Sequence, residues 1–207
     1  MTGRSIGGLL QDRISGFARS AVANPFVYDA IQYAVGVGMI RRHLASELRH
    51  AQHGTLLDVG AGTGLYVGCA PSSARYVWFD HDRAKLRGFW FRHGRSTPAI
   101  LGDATRIGLS DKSVDYAMCT NLMHHLSDVE LSSLMGELAR VTRRRVLLLD
   151  PLADASWVGQ LLWKYDRGSY PRTRTRLLAA VSDAFEVERT REFARFHRYL
   201  LLVATPR

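Results

Sequence analysis

Cysteine, proline and lysine are all scarce in this chain, and each scarcity excludes something. Two cysteines in 207 residues, Cys69 and Cys119, supply neither a disulfide framework nor the spacing of a zinc site. They point to a reducing compartment. Six prolines are too few for a proline-rich linker or recognition tract. No uninterrupted apolar run reaches the length that spans a bilayer, and the nearest, 26–40, is broken by Asp29 and Gln32. The first residues carry Arg4 but no compact apolar core, so no secretion signal is expected. Lysine is nearly absent, with 3 residues against 25 arginines, yet the formal net charge is +9. That excess suits an anionic substrate, a nucleic acid or an anionic membrane surface. The expected location is the cytoplasm, with peripheral membrane contact compatible with the charge.

What is present is a long alternation. The length suits one domain over 1–207, and no repeat, low-complexity tract or linker divides it. Residues 1–53 read as a helical cap. Tyr28, Ile31, Val35, Ile40 and Leu44 share faces at helical spacing, and Asn24-Pro25 reads as a helix start. From 54 to 207 strands and helices alternate, which predicts an α/β, doubly wound parallel sheet. Strands are expected near 55–60, 76–80, 99–101, 114–119 and 145–150, with two more at 185–189 and 199–204. Helices are expected near 63–70, 82–94, 128–140 and 173–182. The run Arg143-Arg144-Arg145 reads as the solvated turn before the fifth strand.

The most specific stretch is Leu56-Leu57-Asp58-Val59-Gly60-Ala61-Gly62-Thr63-Gly64-Leu65. An apolar run ends in an acid, and three glycines follow at alternate positions. Such a turn brings bare backbone close to a ligand at the end of a strand. Its spacing differs from the dinucleotide Gly-x-Gly-x-x-Gly, and no Gly-Lys-Ser/Thr follows. Two further strands end in acids. Arg75-Tyr76-Val77-Trp78-Phe79-Asp80 leads to His81, and Ala99-Ile100-Leu101-Gly102-Asp103 leads to Ala104. A carboxylate at Asp80 is placed to accept from both hydroxyls of a ribose. After a fourth strand, Val114 to Asn121, comes Leu122-Met123-His124-His125-Leu126.

The order glycine turn, acid, acid, His-His, each after an apolar run, resembles the class I S-adenosylmethionine-dependent methyltransferases, in particular the branch acting on quinones, lipids and secondary metabolites. The resemblance implies a Rossmann-like seven-stranded sheet of order 3-2-1-4-5-7-6 and S-adenosyl-L-methionine as cofactor, leaving as S-adenosyl-L-homocysteine. It implies that Asp58, Gly60, Ala61, Gly62, Thr63 and Gly64 lie toward the methionine end. Asp80 and His81 fall at the ribose, Asp103 and Ala104 at the adenine, and Cys119 and Thr120 on the methyl side.

For the chemistry, imidazole titrates near neutrality, so His124 is the first general-base candidate and His125 the second. Asp150, closing the fifth strand, is placed to orient a hydroxyl or amine. No metal-ligand set is apparent. The aromatic stretch 151–172, with Trp157, Tyr165 and Arg167, reads as a substrate-covering element, and Tyr28 from the cap as a further substrate contact. A small aromatic, isoprenoid or lipid-like acceptor suits that content. Nucleic acid is the less favoured acceptor. Its support is the charge, and the residues after the fourth strand do not supply an Asn-Pro-Pro-Tyr motif. A non-catalytic cofactor-binding protein on the same fold is the remaining alternative.

Overall fold

The computed structural model describes residues 37–153, 170–194 and 198–207. Seven strands form one sheet: β1 Thr55–Val59, β2 Arg75–Asp80, β3 Ala99–Leu101, β4 Val114–Thr120, β5 Thr142–Pro151, β6 Phe185–Ala194 and β7 Arg198–Pro206. Their spatial order is β3-β2-β1-β4-β5-β7-β6. The first five run parallel, and β7 is antiparallel to both β5 and β6. The expected sheet order is the observed one.

Four α-helices are described: α1 Val37–Leu48, α2 Arg83–His93, α3 Asp128–Val141 and α4 Arg174–Ser182. Strand residues alternate between two faces, and each face has its own core. Leu57, Val59, Ala117 and Leu148 pack with Leu131, Leu134 and Leu138 of α3 and Leu177 of α4. Leu56, Trp78, Met118 and Leu147 pack with Ile40, Leu44 and Leu48 of α1 and Phe89 of α2. α3 is built for its place. Ser127 and Glu130 close a reciprocal capping box, Asp128 and Glu130 occupy the first turn, and Arg140 the last.

Two local expectations differ from the structure. The predicted helix over 63–70 is a series of turns ending in a single 3-10 turn, Val67–Cys69. Gly62 and Gly64 take positive φ (57° and 79°), and that backbone cannot belong to a right-handed helix. The arginine run is not a turn. α3 ends at Val141 and β5 begins at Thr142, with no loop between them. The excess is absorbed inside the sheet: Val114 pairs with Thr142 but Tyr116 with Arg145, so β5 carries one extra residue. Arg143 and Arg144 lie 3.9 and 3.8 Å from Asp115, and Arg145 lies 3.0 Å from Glu188. The run is therefore taken up by neighbouring strands. Of the cap, α1 is described; Asn24, Pro25 and Tyr28 lie outside the described residues, as do Trp157, Tyr165 and Arg167.

Candidate active site

A cavity of about 480 Å3 opens where the parallel strands end. β1, with β2 and β4 on either side, delivers Gly60 to Thr63, Asp80 to Asp82 and Thr120 to Leu122 to its wall. Ligands bind at this carboxyl edge in doubly wound sheets because the chain reverses direction there and leaves a crevice.

The glycine turn is held by its neighbours. The carbonyl of Phe79 accepts from the N–H groups of Gly60 (2.8 Å) and Ala61 (3.1 Å). The indole of Trp78 donates to the carbonyl of Gly62 (2.8 Å). The glycines differ in what they do. A Cβ on Gly64 would stand 2.6 Å from the Phe89 ring, whereas one on Gly62 would meet nothing closer than 4.0 Å. Gly64 is needed for packing. Gly62 is needed for its positive φ, and it leaves open space on the cavity wall.

Asp80 is 4% exposed, and each of its oxygens is held by one backbone donor. Oδ2 accepts from Gly62 N–H (2.9 Å) and Oδ1 from Asp82 N–H (3.0 Å). A carboxylate oxygen has two lone pairs, so one on each oxygen is left for a pair of ligand hydroxyls. Asp103 also lines the cavity. Its Oδ1 takes both the N–H and the hydroxyl of Thr105 at 2.8 Å, and these bonds hold its carboxyl below the usual range. Paired acceptors, an open glycine wall and the apolar sides of Ala104, Leu122 and Leu126 fit an adenosyl group. Asp80, Asp82, Asp103 and Glu130 outweigh the single lysine, Lys85, on the same wall, which suits a ligand carrying positive charge.

Asp58 is placed differently from the other cofactor candidates. It is fully buried on the α1 side of the sheet and does not reach the cavity wall. Oδ2 accepts from the Tyr76 hydroxyl at 2.5 Å, and Oδ1 has no donor among the described residues. Burial pushes its carboxyl up to about 7, the Asp80 charge adds to this, and the Tyr76 bond opposes it. The consequence for stability has a definite sign. Between about pH 4 and 7 the native chain holds a proton that the unfolded chain has released. Stability conferred by Asp58 therefore falls as pH rises through that window and levels off above it. His43 and His93, held below the usual imidazole range chiefly by partial burial, act in the opposite direction over part of it. The comparison of wild type with Asp58→Asn isolates the carboxyl. In urea titrations without cofactor, the variant gains more than about 1 kcal/mol on wild type between pH 5 and 8. A constant difference across that range would contradict this account.

The histidines separate. A 3-10 turn, Met123–His125, puts His125 on the cavity wall and turns His124 inward. His124 is 2% exposed, with Nδ1 2.9 Å from Asp150 Oδ1. The two rings lie 4.1 Å apart between centroids. The turn is clamped from below by Arg172, whose guanidinium donates to the carbonyls of Met123 and Leu126, both at 2.8 Å. It also reaches Asp128 Oδ1 at 2.7 Å. Tyr170 N–H donates to the carbonyl of His124 (3.0 Å).

Of the residues singled out from sequence, Gly60, Ala61, Gly62, Thr63, Asp80, His81, Asp103, Ala104, Thr120 and His125 meet at the cavity. Asp58, Gly64, Cys119, His124 and Asp150 stand behind its walls. The sequence reading missed Tyr66, Lys85, Asn121, Leu122 and Glu130 as wall residues. Asn121 sits at φ 54° and its amide donates to the Tyr66 hydroxyl (3.1 Å). Only the motif's neighbourhood could have suggested it. Glu130 was hidden behind its capping role. Among the described residues no group of three or more His, Cys, Asp or Glu side chains is arranged to hold a metal ion, and no helix is long and apolar enough to cross a membrane.

Comparison with known proteins agrees with this geometry. Residues 57–149 match the profile of a methyltransferase domain. A search of curated proteins finds no match. Among solved structures, a chain of the complex between a Haloferax volcanii methyltransferase activator and a methyltransferase superposes with a TM-score of 0.73 at 13% identity, covering 92% of this chain and 98% of that one. Geranyl diphosphate C-methyltransferase from Streptomyces coelicolor, solved with S-adenosyl-L-homocysteine, gives 0.67 at 14% identity over 82% and 76% of the two chains. Magnesium protoporphyrin IX methyltransferase from Synechocystis, also with the product cofactor bound, gives 0.63 at 18% identity over 83% and 82%. At these identities the likeness is one of fold. The matched segment carries the glycine turn and both cavity carboxylates, and it marks residues 57–149 as a methyltransferase domain, set in the sheet order of the class I S-adenosylmethionine-dependent fold.

Proposed function

We propose that the methyl acceptor is a small molecule entering beside His125, and that His125 takes up the proton the acceptor releases. The bound cofactor supplies a methyl group made electrophilic by its sulfonium. The work of the chain is then to align the acceptor, exclude water and receive a proton. What carries the reading is the position of His125. It shares one cavity with the glycine turn, while the ring behind it is fixed by Asp150 at 2.9 Å. A general base must touch the group it deprotonates, and His124, enclosed on all sides, supports its neighbour instead. The cavity is of the size that small ligands fill, and Leu122 and Leu126 give it an apolar wall. The geranyl diphosphate and magnesium protoporphyrin enzymes of similar fold act on small molecules, which is consistent with this reading.

The experiment is transfer of labelled methyl from S-adenosylmethionine into two pools, an organic-solvent extract of metabolites and total RNA. Label is expected in the extract. Label in RNA alone would overturn the proposal. With the acceptor in hand, His125→Ala lowers kcat by about 100-fold and leaves the affinity for S-adenosylhomocysteine within about threefold of wild type. Undiminished turnover would remove His125 from the role.

A further inference from the structure

The positive charge of this protein is not evenly neutralised. Along the second half of the chain most of the described arginines are paired, and Arg140, Arg145, Arg172, Arg174, Arg189 and Arg198 each lie 2.7–3.0 Å from a carboxylate. α2 is different. Its sequence, RAKLRGFWFRH, holds no acid. Among the described residues Arg83 and Arg87 make no ion pair, and the guanidinium of Arg95, just past the helix, lies 5.0 Å from the centre of the Trp90 ring.

Arg83, Arg87 and Phe91 recur every four residues, so they line one side of the helix. Phe91 lies 79% exposed at the end of that line. The opposite side is the one that holds the helix to the sheet. Phe89 is fully buried and stacks on Trp78, with ring centroids 5.6 Å apart. The basic side is thus not required for packing. An exposed phenylalanine in water is unfavourable, and one set among cations that have no counter-ion among the described residues matches the boundary between lipid headgroups and acyl chains. The stripe also begins at the crevice: Asp82 and Lys85, on either side of Arg83, lie on the cavity wall.

We infer that the outer side of α2 is a docking face for an anionic lipid surface, with Arg83 and Arg87 meeting headgroup phosphates and Phe91 entering the interface. A nucleic acid strand binds in a basic groove that offers a series of stacking rings; this stripe is the convex side of a helix with one exposed ring at its end, which suits a lipid surface better. Docked this way, the crevice lies next to the lipid surface. The inference is independent of which acceptor the enzyme methylates.

The test is flotation of the full chain with vesicles of phosphatidylcholine, with and without phosphatidylglycerol, at low and high salt. Wild type is expected to float with the phosphatidylglycerol vesicles at low salt and to be released by high salt. The Arg83→Ser/Arg87→Ser protein is expected to lose at least tenfold in vesicle affinity, and Phe91→Ser at least fivefold. Both should bind S-adenosylhomocysteine like wild type, because none of the three residues lies on the cavity wall. Failure of wild type to float would overturn the inference, as would variants that float like wild type. So would loss of RNA retention in the arginine variant with vesicle binding unchanged in Phe91→Ser, which would assign the face to nucleic acid. Failure of wild type to bind S-adenosylhomocysteine would count against the enzyme and not against this face.

Discussion

Asp80→Ala weakens S-adenosylhomocysteine binding by about 100-fold in calorimetry, a loss of about 3 kcal/mol. The figure is that of two charge-assisted bonds, in each of which a ribose hydroxyl would donate to one carboxylate oxygen. The substitution also frees the N–H groups of Gly62 and Asp82, which the same oxygens hold at 2.9 and 3.0 Å. Gly62 then loses the bond that presents its backbone to the cavity. Asparagine is no rescue. Both oxygens of Asp80 face backbone donors, so in either orientation an amide NH2 is driven against an N–H. Asp80→Asn is therefore expected to bind about as poorly as alanine. A folded Asp80→Ala protein that retained native affinity would refute the assignment of the ribose site.

Arg172→Met costs about 3 kcal/mol of stability and lowers Tm by roughly 6–12 °C. The side chain is 5% exposed and donates to the buried carbonyl of Met123 and the half-buried carbonyl of Leu126. Methionine fills the space but strips the Leu126 carbonyl of its donor and leaves the Met123 carbonyl only the Leu126 N–H at 3.2 Å, and that desolvation penalty dominates. The ion pair contributes little, because the Asp128 side chain is 84% exposed and stays hydrated when its partner is removed. Asp128→Ala should thus lower Tm far less than Arg172→Met, which separates the two contributions. Arg172→Lys restores one carbonyl at most and falls between. An Arg172→Met protein melting with wild type would show that the histidine turn does not depend on this clamp.

The sheet was legible because its strands are apolar runs that end in acids, and the resemblance supplied their order. Asp80 and Asp103 were legible for the same reason: each is the first polar group after a buried run, at the edge where ligands bind. The short 3-10 turn after Gly64 was not legible. Leu65 to Val67 look helical, and only the positive φ values at Gly62 and Gly64 rule a helix out. The roles of His124 and His125 were not separable in sequence either. Adjacent residues point in different directions, and which one meets the cavity is decided by a turn held by Arg172, 48 positions beyond His124. The same holds for Arg143 to Arg145, whose partners Asp115 and Glu188 are distant in the chain. Asp58 looked like a ligand contact because it precedes the glycines. Strand alternation puts its side chain on the face of Trp78 and Asp80, but level with Trp78 and so below the cavity rim, against Tyr76.

The anchoring around Arg172 has a consequence for the length of the chain that precedes it. Ala153 N–H donates to the carbonyl of Arg172 at 2.8 Å, and Leu152 and Arg172 form a parallel bridge. The two ends of the intervening stretch therefore meet like the jaws of a clasp. With its ends fixed in this way, the entropic penalty for lengthening the stretch between them grows only logarithmically.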